Sequence, residues 1–148
     1  MFLTTKSQYA VNAMVDLCNN GDVALKLAAI AYNHNIDAPY LEKIFAMLKA
    51  GGLVVAVRGP GGGYRLSRPG NEIAIIDVAD AVDENIKMTR CKRGGGGCGK
   101  DNEICSAHHA WIVLETNIKR YLGSVTLQDM ASGRKTYDDF SLDIKVVS

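Results

Sequence analysis

Apolar residues return every three or four positions between Thr5 and Asn19, where Tyr9, Ala10, Ala13, Met14 and Leu17 share one side and Gly21 follows as a stop. The pattern predicts a first helix. A second, shorter helix with an apolar face is expected over Leu25 to Asn33, followed by the turn-forming HNID segment, in which Asp37 can act as an N-cap. A third runs from about Pro39 to Ala50 with Leu41, Ile44, Phe45 and Leu48 on one face, and Gly51-Gly52 ends it. Two short helices joined by a tight turn form a helix-turn-helix, here spanning about residues 26–50.

Beyond Gly52 the periodicity changes. Leu53 to Val57 is rich in valine and too short to be a helix, and Tyr64 to Ser67 reads as a second extended run. The stretch Arg58 to Gly63 between them is mostly glycine, which predicts a hairpin over about 53–67, and a hairpin directly after a helix-turn-helix is a wing. A small helix is expected over Ile75 to Val82, a glycine-rich loop over Cys91 to Cys105, and a long helix from about Ser106 to Leu122. On the long helix Ala107, Ala110, Trp111, Leu114, Ile118, Tyr121 and Leu122 form a stripe, while Ile112 and Val113 fall off it. A helix apolar on more than one face usually has two packing partners. Its own domain supplies one; a second copy of the chain would supply the other, unless the helix is a fully intramolecular core element.

The expected fold is therefore mainly α with a small β-hairpin wing. It comprises a winged helix-turn-helix DNA-binding domain over 1–85, a cysteine loop over 86–105, a dimerisation helix and a short following helix over 106–131, and a polar, flexible tail over 132–148.

Composition narrows the partners. The 148 residues are 47% hydrophobic, enough for one real core. No run approaches the roughly 18 apolar residues of a membrane span, and the first residues lack the layout of a secretory signal. A cytoplasmic protein without a membrane partner is expected. The net charge of +1 is unevenly spread: residues 71–86 hold five acidic side chains and no basic one, and residues 87–100 hold five basic and no acidic one. A positive face toward phosphate is thus permitted, though not established, by charge.

A recognition helix reads the major groove with residues near its N-terminus, which selects Pro39, Tyr40, Glu42 and Lys43. Lys43 suits phosphate or a guanine edge. Glu42 could accept from cytosine N4 or reject wrong sequences; a plain solvated face is the alternative for both. In the wing, Arg58, Gly59, Pro60 and Gly61 combine a guanidinium with a backbone able to lie close to DNA, and arginine favours a narrow minor groove. A phosphate loop of a nucleotide enzyme would need GK[ST] leading into a helix, which is absent here. An ordinary surface hairpin is the other alternative.

Three of the four cysteines, Cys91, Cys98 and Cys105, stand with six residues between neighbours, and His108 follows three positions after the last. Clustered thiols in a reducing compartment point to metal or redox chemistry. Tight CxxC pairs, usual for structural zinc, are missing, which moves weight toward an iron–sulfur cluster. His108 is best placed to complete a four-ligand set, with His109 as the spare. Zinc, or a thiol–disulfide switch without metal, are the alternatives. Cys18, at helical spacing with Met14 and Val11, reads as a core residue. No general acid–base pair accompanies the loop, so the chain is not expected to be an enzyme.

The segments LTTKSQYAV, YLEKIFAMLKAGGLV, VRGPGGGYRLS, the acidic AVDE and the triple-cysteine loop run, over about residues 1–130, in the order of the IscR-type winged helix-turn-helix regulators, which this chain resembles. The resemblance implies a homodimeric transcription factor acting on a double-stranded DNA operator. It further implies a [2Fe-2S] cluster, or else [4Fe-4S] or zinc, on Cys91, Cys98, Cys105 and His108, with an assembly scaffold as possible donor. Repression of cluster-assembly genes is the implied output; nitric oxide or iron sensing are the outputs of related proteins. Lys6, in the first helix, joins the implied DNA contacts. Two features depart from the family pattern: each gap between cysteines is one residue longer, and Lys43 stands where glutamine is expected.

Overall fold

The computed structural model describes residues 4–84, 86–88, 97, 101 and 103–133. Among these, the helices are α1 (Thr5–Asn19), α2 (Leu27–His34), α3 (Ala38–Ala50), α4 (Ile75–Ala81), α5 (His108–Ser124) and α6 (Leu127–Ser132). Strands β1 (Val54–Val57) and β2 (Gly63–Leu66) pair antiparallel, with Val54 opposite Leu66 and Val57 opposite Gly63.

Local chemistry explains most of the boundaries. In α1 the buried Ala10, Ala13, Met14 and Leu17 recur at helical spacing. The turn between α2 and α3 begins at Asn35, which takes the left-handed conformation (φ 51°) that asparagine tolerates. Asp37 then caps α3 by accepting the Tyr40 N–H at 3.3 Å, and Pro39 occupies the first turn, where its missing donor is harmless. Thr126 and Asp129 cap α6 reciprocally: the Thr126 hydroxyl accepts the Asp129 N–H at 3.1 Å and the Asp129 carboxylate accepts the Thr126 N–H at 3.0 Å.

The core lies where α1, α2 and α3 meet, around the fully buried Met14, Leu17, Ile30, Leu41, Ile44, Phe45 and Leu48. It continues through Val54 of the hairpin, Ile73, Val78 of α4, and Leu127 of α6. A short 3-10 turn at Gly70–Glu72 joins the wing to α4 and has no counterpart in the sequence reading.

Two further differences are physical. Leu25, expected to open the second helix, instead pairs with Tyr64: its N–H donates to the Tyr64 carbonyl at 2.9 Å and its carbonyl accepts the Tyr64 N–H at 2.8 Å. An apolar residue at helical spacing is here claimed by the edge of the hairpin, so α2 starts at Leu27. The long helix is also embedded only at its C-terminal end. Leu122 is its one buried residue, and the chain after it is stitched to the head, the unit of α1–α4 and the hairpin, by an antiparallel bridge, with the Ile75 N–H on the Val125 carbonyl (2.9 Å) and the Leu127 N–H on the Ile73 carbonyl (3.0 Å). Toward its N-terminus, Trp111, Ile112, Val113 and Leu114 are each at least 40% exposed. Of the tail expected from 132 onward, Ser132 closes α6 and Gly133 caps it; residues 134–148 lie outside the described residues.

Candidate nucleic-acid interface and cysteine loop

Helix α3 packs Leu41, Ile44, Phe45 and Leu48 inward, which turns Pro39, Glu42, Lys43, Ala46 and Lys49 outward as a ridge. Lys43 and Lys49 give the ridge two positive charges against the single Glu42. Tyr40 is half-buried, its ring edge-on to Tyr9 of α1 with centroids 6.2 Å apart, so it braces the start of α3 against α1.

The wing stands on the same core. Tyr64 of β2 packs on Phe45 of α3, with ring centroids 4.9 Å apart, which ties hairpin and α3 together. At the tip Arg58, Gly59, Pro60 and Gly61 are all exposed, and the turn is closed by the Gly62 N–H on the Gly59 carbonyl at 2.9 Å. A Cβ at Gly62 would lie 2.4 Å from the Val57 carbonyl oxygen, so the tight turn requires glycine there.

Lys6 is half-buried in the first turn of α1, and its charge acts on Glu84, the acidic residue just after α4. Burial opposes ionisation of Glu84. Hydrogen bonds from the Thr4 amide (3.1 Å) and hydroxyl, with the nearby Lys6 charge, outweigh it and hold the carboxyl below its ordinary value. Glu84 thereby caps α1 in place of Thr4, whose own side chain makes no capping bond.

One exposed residue of the helix-turn-helix escaped the sequence reading. Tyr32, near the C-terminal end of α2 and just before the turn into α3, is 88% exposed. Its signal was an aromatic residue off the buried Ile30–Ala31 face of a short helix.

Of the cysteine loop, Cys105 and His108 are described; Cys91 and Cys98 lie outside the described residues. Cys105 and His108 are both half-buried, and the His108 N–H donates to the Cys105 carbonyl at 2.9 Å. That single turn sets the two residues at the mouth of α5, with the His109 ring 5.8 Å from the His108 ring at a steep angle. The segment before the loop is anchored on α5 as well: the Met88 N–H donates to the Glu115 carboxylate at 3.0 Å, and Glu115 also pairs with Lys119. Among the described residues no three metal-binding side chains gather. Nor is any described helix long and apolar enough to cross a membrane.

Comparison with known proteins agrees with this architecture. The profile of the Rrf2 family, described as an iron-dependent transcriptional regulator, matches residues 3–133. The HTH-type transcriptional regulator IscR of Escherichia coli is 39% identical over 139 residues, covering 93% of this chain and 85% of the relative. Among solved structures, CymR, the global cysteine regulator of B. subtilis, superposes with a TM-score of 0.76 at 28% identity, over 90% of this chain and 98% of that one. IscR of T. potens gives 0.74 at 29%, over 95% and 93%. On a mainly helical fold with a two-stranded wing, these matches establish that the chain belongs to the Rrf2 family and is a transcriptional regulator, not an enzyme.

Proposed function

We propose that the protein is a homodimeric regulator of a double-stranded DNA operator that reports iron–sulfur cluster status through a [2Fe-2S] cluster on Cys91, Cys98, Cys105 and His108, and that represses cluster-assembly genes. The observation that carries the reading is the Cys105–His108 turn at the mouth of α5, which sets a thiol and an imidazole three residues apart at the end of the triple-cysteine segment. Three thiolates and one imidazole suit an iron–sulfur cluster, and one imidazole among them raises its reduction potential relative to an all-thiolate set. When bound, such a cluster supplies a redox-active, oxygen-sensitive group at this loop.

The chain's own residues do the rest. Glu115 holds the segment that enters the loop, and the Cys105–His108 turn starts α5. The exposed Trp111, Ile112, Val113 and Leu114 support packing of α5 against a second copy, since so much apolar surface on one exposed helix favours burial. The α3 ridge of Pro39, Glu42 and Lys43 would enter the major groove, beside Tyr40. Arg58 to Gly61 would reach the backbone or minor groove, with Lys6 and Tyr32 flanking.

The test is anaerobic purification with visible absorption, iron and sulfide assays, for the parent and for His108→Ala. Bands between about 400 and 600 nm with equal iron and sulfide, weakened in the variant, are expected. Colourless, zinc-loaded protein refutes the cluster, and identical footprints for metallated and metal-free protein refute the coupling to DNA.

A further inference from the structure

At the root of the wing, on the side away from its glycine tip, lies a cavity of about 360 Å³ that the DNA and cysteine-loop reading leaves unused. Its size falls at the lower end of the range typical for small-molecule sites, about 300 to 1,000 Å³. Three elements build it: the C-terminal end of α1 contributes Cys18 and the adjoining Asp22, β2 and its continuation contribute Arg65, Arg68 and Gly70, and α6 contributes Gln128.

The two arginines differ in their commitments. Arg68 is anchored, with its Nε–H on the Glu72 carbonyl at 3.3 Å and its guanidinium 4.0 Å from the Asp77 carboxylate. Arg65 is half-buried on a wing strand, and among the described residues its guanidinium has one acceptor, the carbonyl of its own neighbour Leu66, at 3.4 Å. A guanidinium offers five N–H donors in a fork that fits a carboxylate, and Arg65, which lines the cavity, uses one of them on a described residue. Asp22 brings an opposite charge to the same wall.

The Cys18 thiol sits in this wall, 3.7 Å from the Gln128 side-chain oxygen, and the Cβ of any residue replacing Gly70 would lie 2.4 Å from its sulfur. Burial pushes the Cys18 thiol above its ordinary pKa, so the neutral form dominates and covalent capture is disfavoured. Cys18 is therefore a wall residue here and not a nucleophile, and it reports occupancy under alkaline conditions with long exposure to the alkylating reagent, where its minor thiolate form reacts.

From this arrangement we infer that the cavity is an effector site for a small zwitterionic metabolite of the amino-acid class, with the ligand's carboxylate on Arg65 and its ammonium on Asp22. A molecule bound there touches the wing strand, α1 and α6 at once, and so joins the DNA-reading hairpin to the element that follows α5. The inference does not depend on a cluster.

The experiment uses the full-length protein, purified anaerobically, with calorimetric titration of L-glutamate, L-alanine, citrate and inorganic phosphate. Occupancy is read independently as protection of Cys18 from iodoacetamide, located by peptide mass mapping, while visible absorption checks that the metal content is unchanged. At least one of the two amino acids binds once per chain and slows Cys18 alkylation. Arg65→Gln weakens that binding by about tenfold or more, Arg65→Lys by less, and Asp22→Asn weakens the amino acids but not citrate. Thermal melts of each variant confirm the fold. Absence of binding by both amino acids, binding that Arg65→Gln leaves unchanged, or citrate and phosphate binding alone overturns the proposal. So does an Arg65→Gln variant that loses DNA affinity and salt dependence while no probe protects Cys18, because Arg65 is then a phosphate contact.

Discussion

The pairing of Leu25 with Tyr64 makes Gly63 the most consequential small residue in the head. Its φ is +147°, and a Cβ added there would sit 2.2 Å from the Leu25 carbonyl oxygen and 2.9 Å from the Lys26 nitrogen. Both neighbours are backbone, so Gly63→Ala cannot be relieved by rotating a side chain. The segment at Leu25 must move by about an ångström to restore ordinary contact, which breaks the two bridge hydrogen bonds of 2.9 and 2.8 Å. Losing two bonds of about 0.5 to 1.5 kcal/mol each, with about 1 kcal/mol or more of backbone strain, predicts a loss of about 2 to 4 kcal/mol. Urea denaturation followed by circular dichroism measures it, and the melting temperature should fall by about 5 to 15 °C. DNA affinity should fall beyond the stability loss, since Tyr64 carries the wing's contact to Phe45. A Gly63→Ala protein within about 0.5 kcal/mol of wild type would refute the argument, because it would mean that the bridge tolerates a side chain the geometry forbids.

Other expectations are narrower. Asp37→Ala removes the α3 cap and should cost about 1 kcal/mol by urea denaturation, with DNA binding weakened in proportion if α3 reads the operator as proposed. Glu84 has a folded-state pKa below its ordinary value of 4.5, so its contribution is present above that range and is lost as the pH falls through the folded value. Stability curves of wild type and Glu84→Gln should therefore differ near neutrality and converge as the pH falls through and below the ordinary carboxylate range; curves that stay parallel would dismiss the Glu84–Thr4 cap. Trp111→Glu should weaken self-association by about thirtyfold or more in sedimentation velocity, corresponding to about 2 kcal/mol, while leaving the thermal transition of the head in place.

How far the chain could be read before folding depends on the range of the forces involved. Helix periodicity, the Asp37 cap and the glycine-rich hairpin tip are local: each depends on side chains within one or two turns of the backbone they shape. That is why α1, α3 and the wing fall where the residue pattern puts them, and why the ridge of Pro39, Glu42 and Lys43 was identifiable as the outward face of α3. The order of motifs also sufficed to indicate the family.

The tertiary structure alone decided what contacts distant in sequence decide. Leu25 carries the same apolar character in a helix as in a bridge; only the arrival of Tyr64, thirty-nine positions later, uses up its N–H and carbonyl. Tyr40 is a groove-reading candidate by position, yet Tyr9 captures its ring, and Glu84 caps a helix eighty residues before it. Cys18 has the spacing of a core residue and packs half-buried against the core, while the closure of α6 over α1 also sets it on the wall of the cavity that Arg65 lines. The stripe on α5 announced a buried surface without saying what covers it, and in the fold its exposed half extends beyond the head. Periodicity records that a face is to be buried, whereas the identity of the covering element is set by non-local packing that no local pattern encodes.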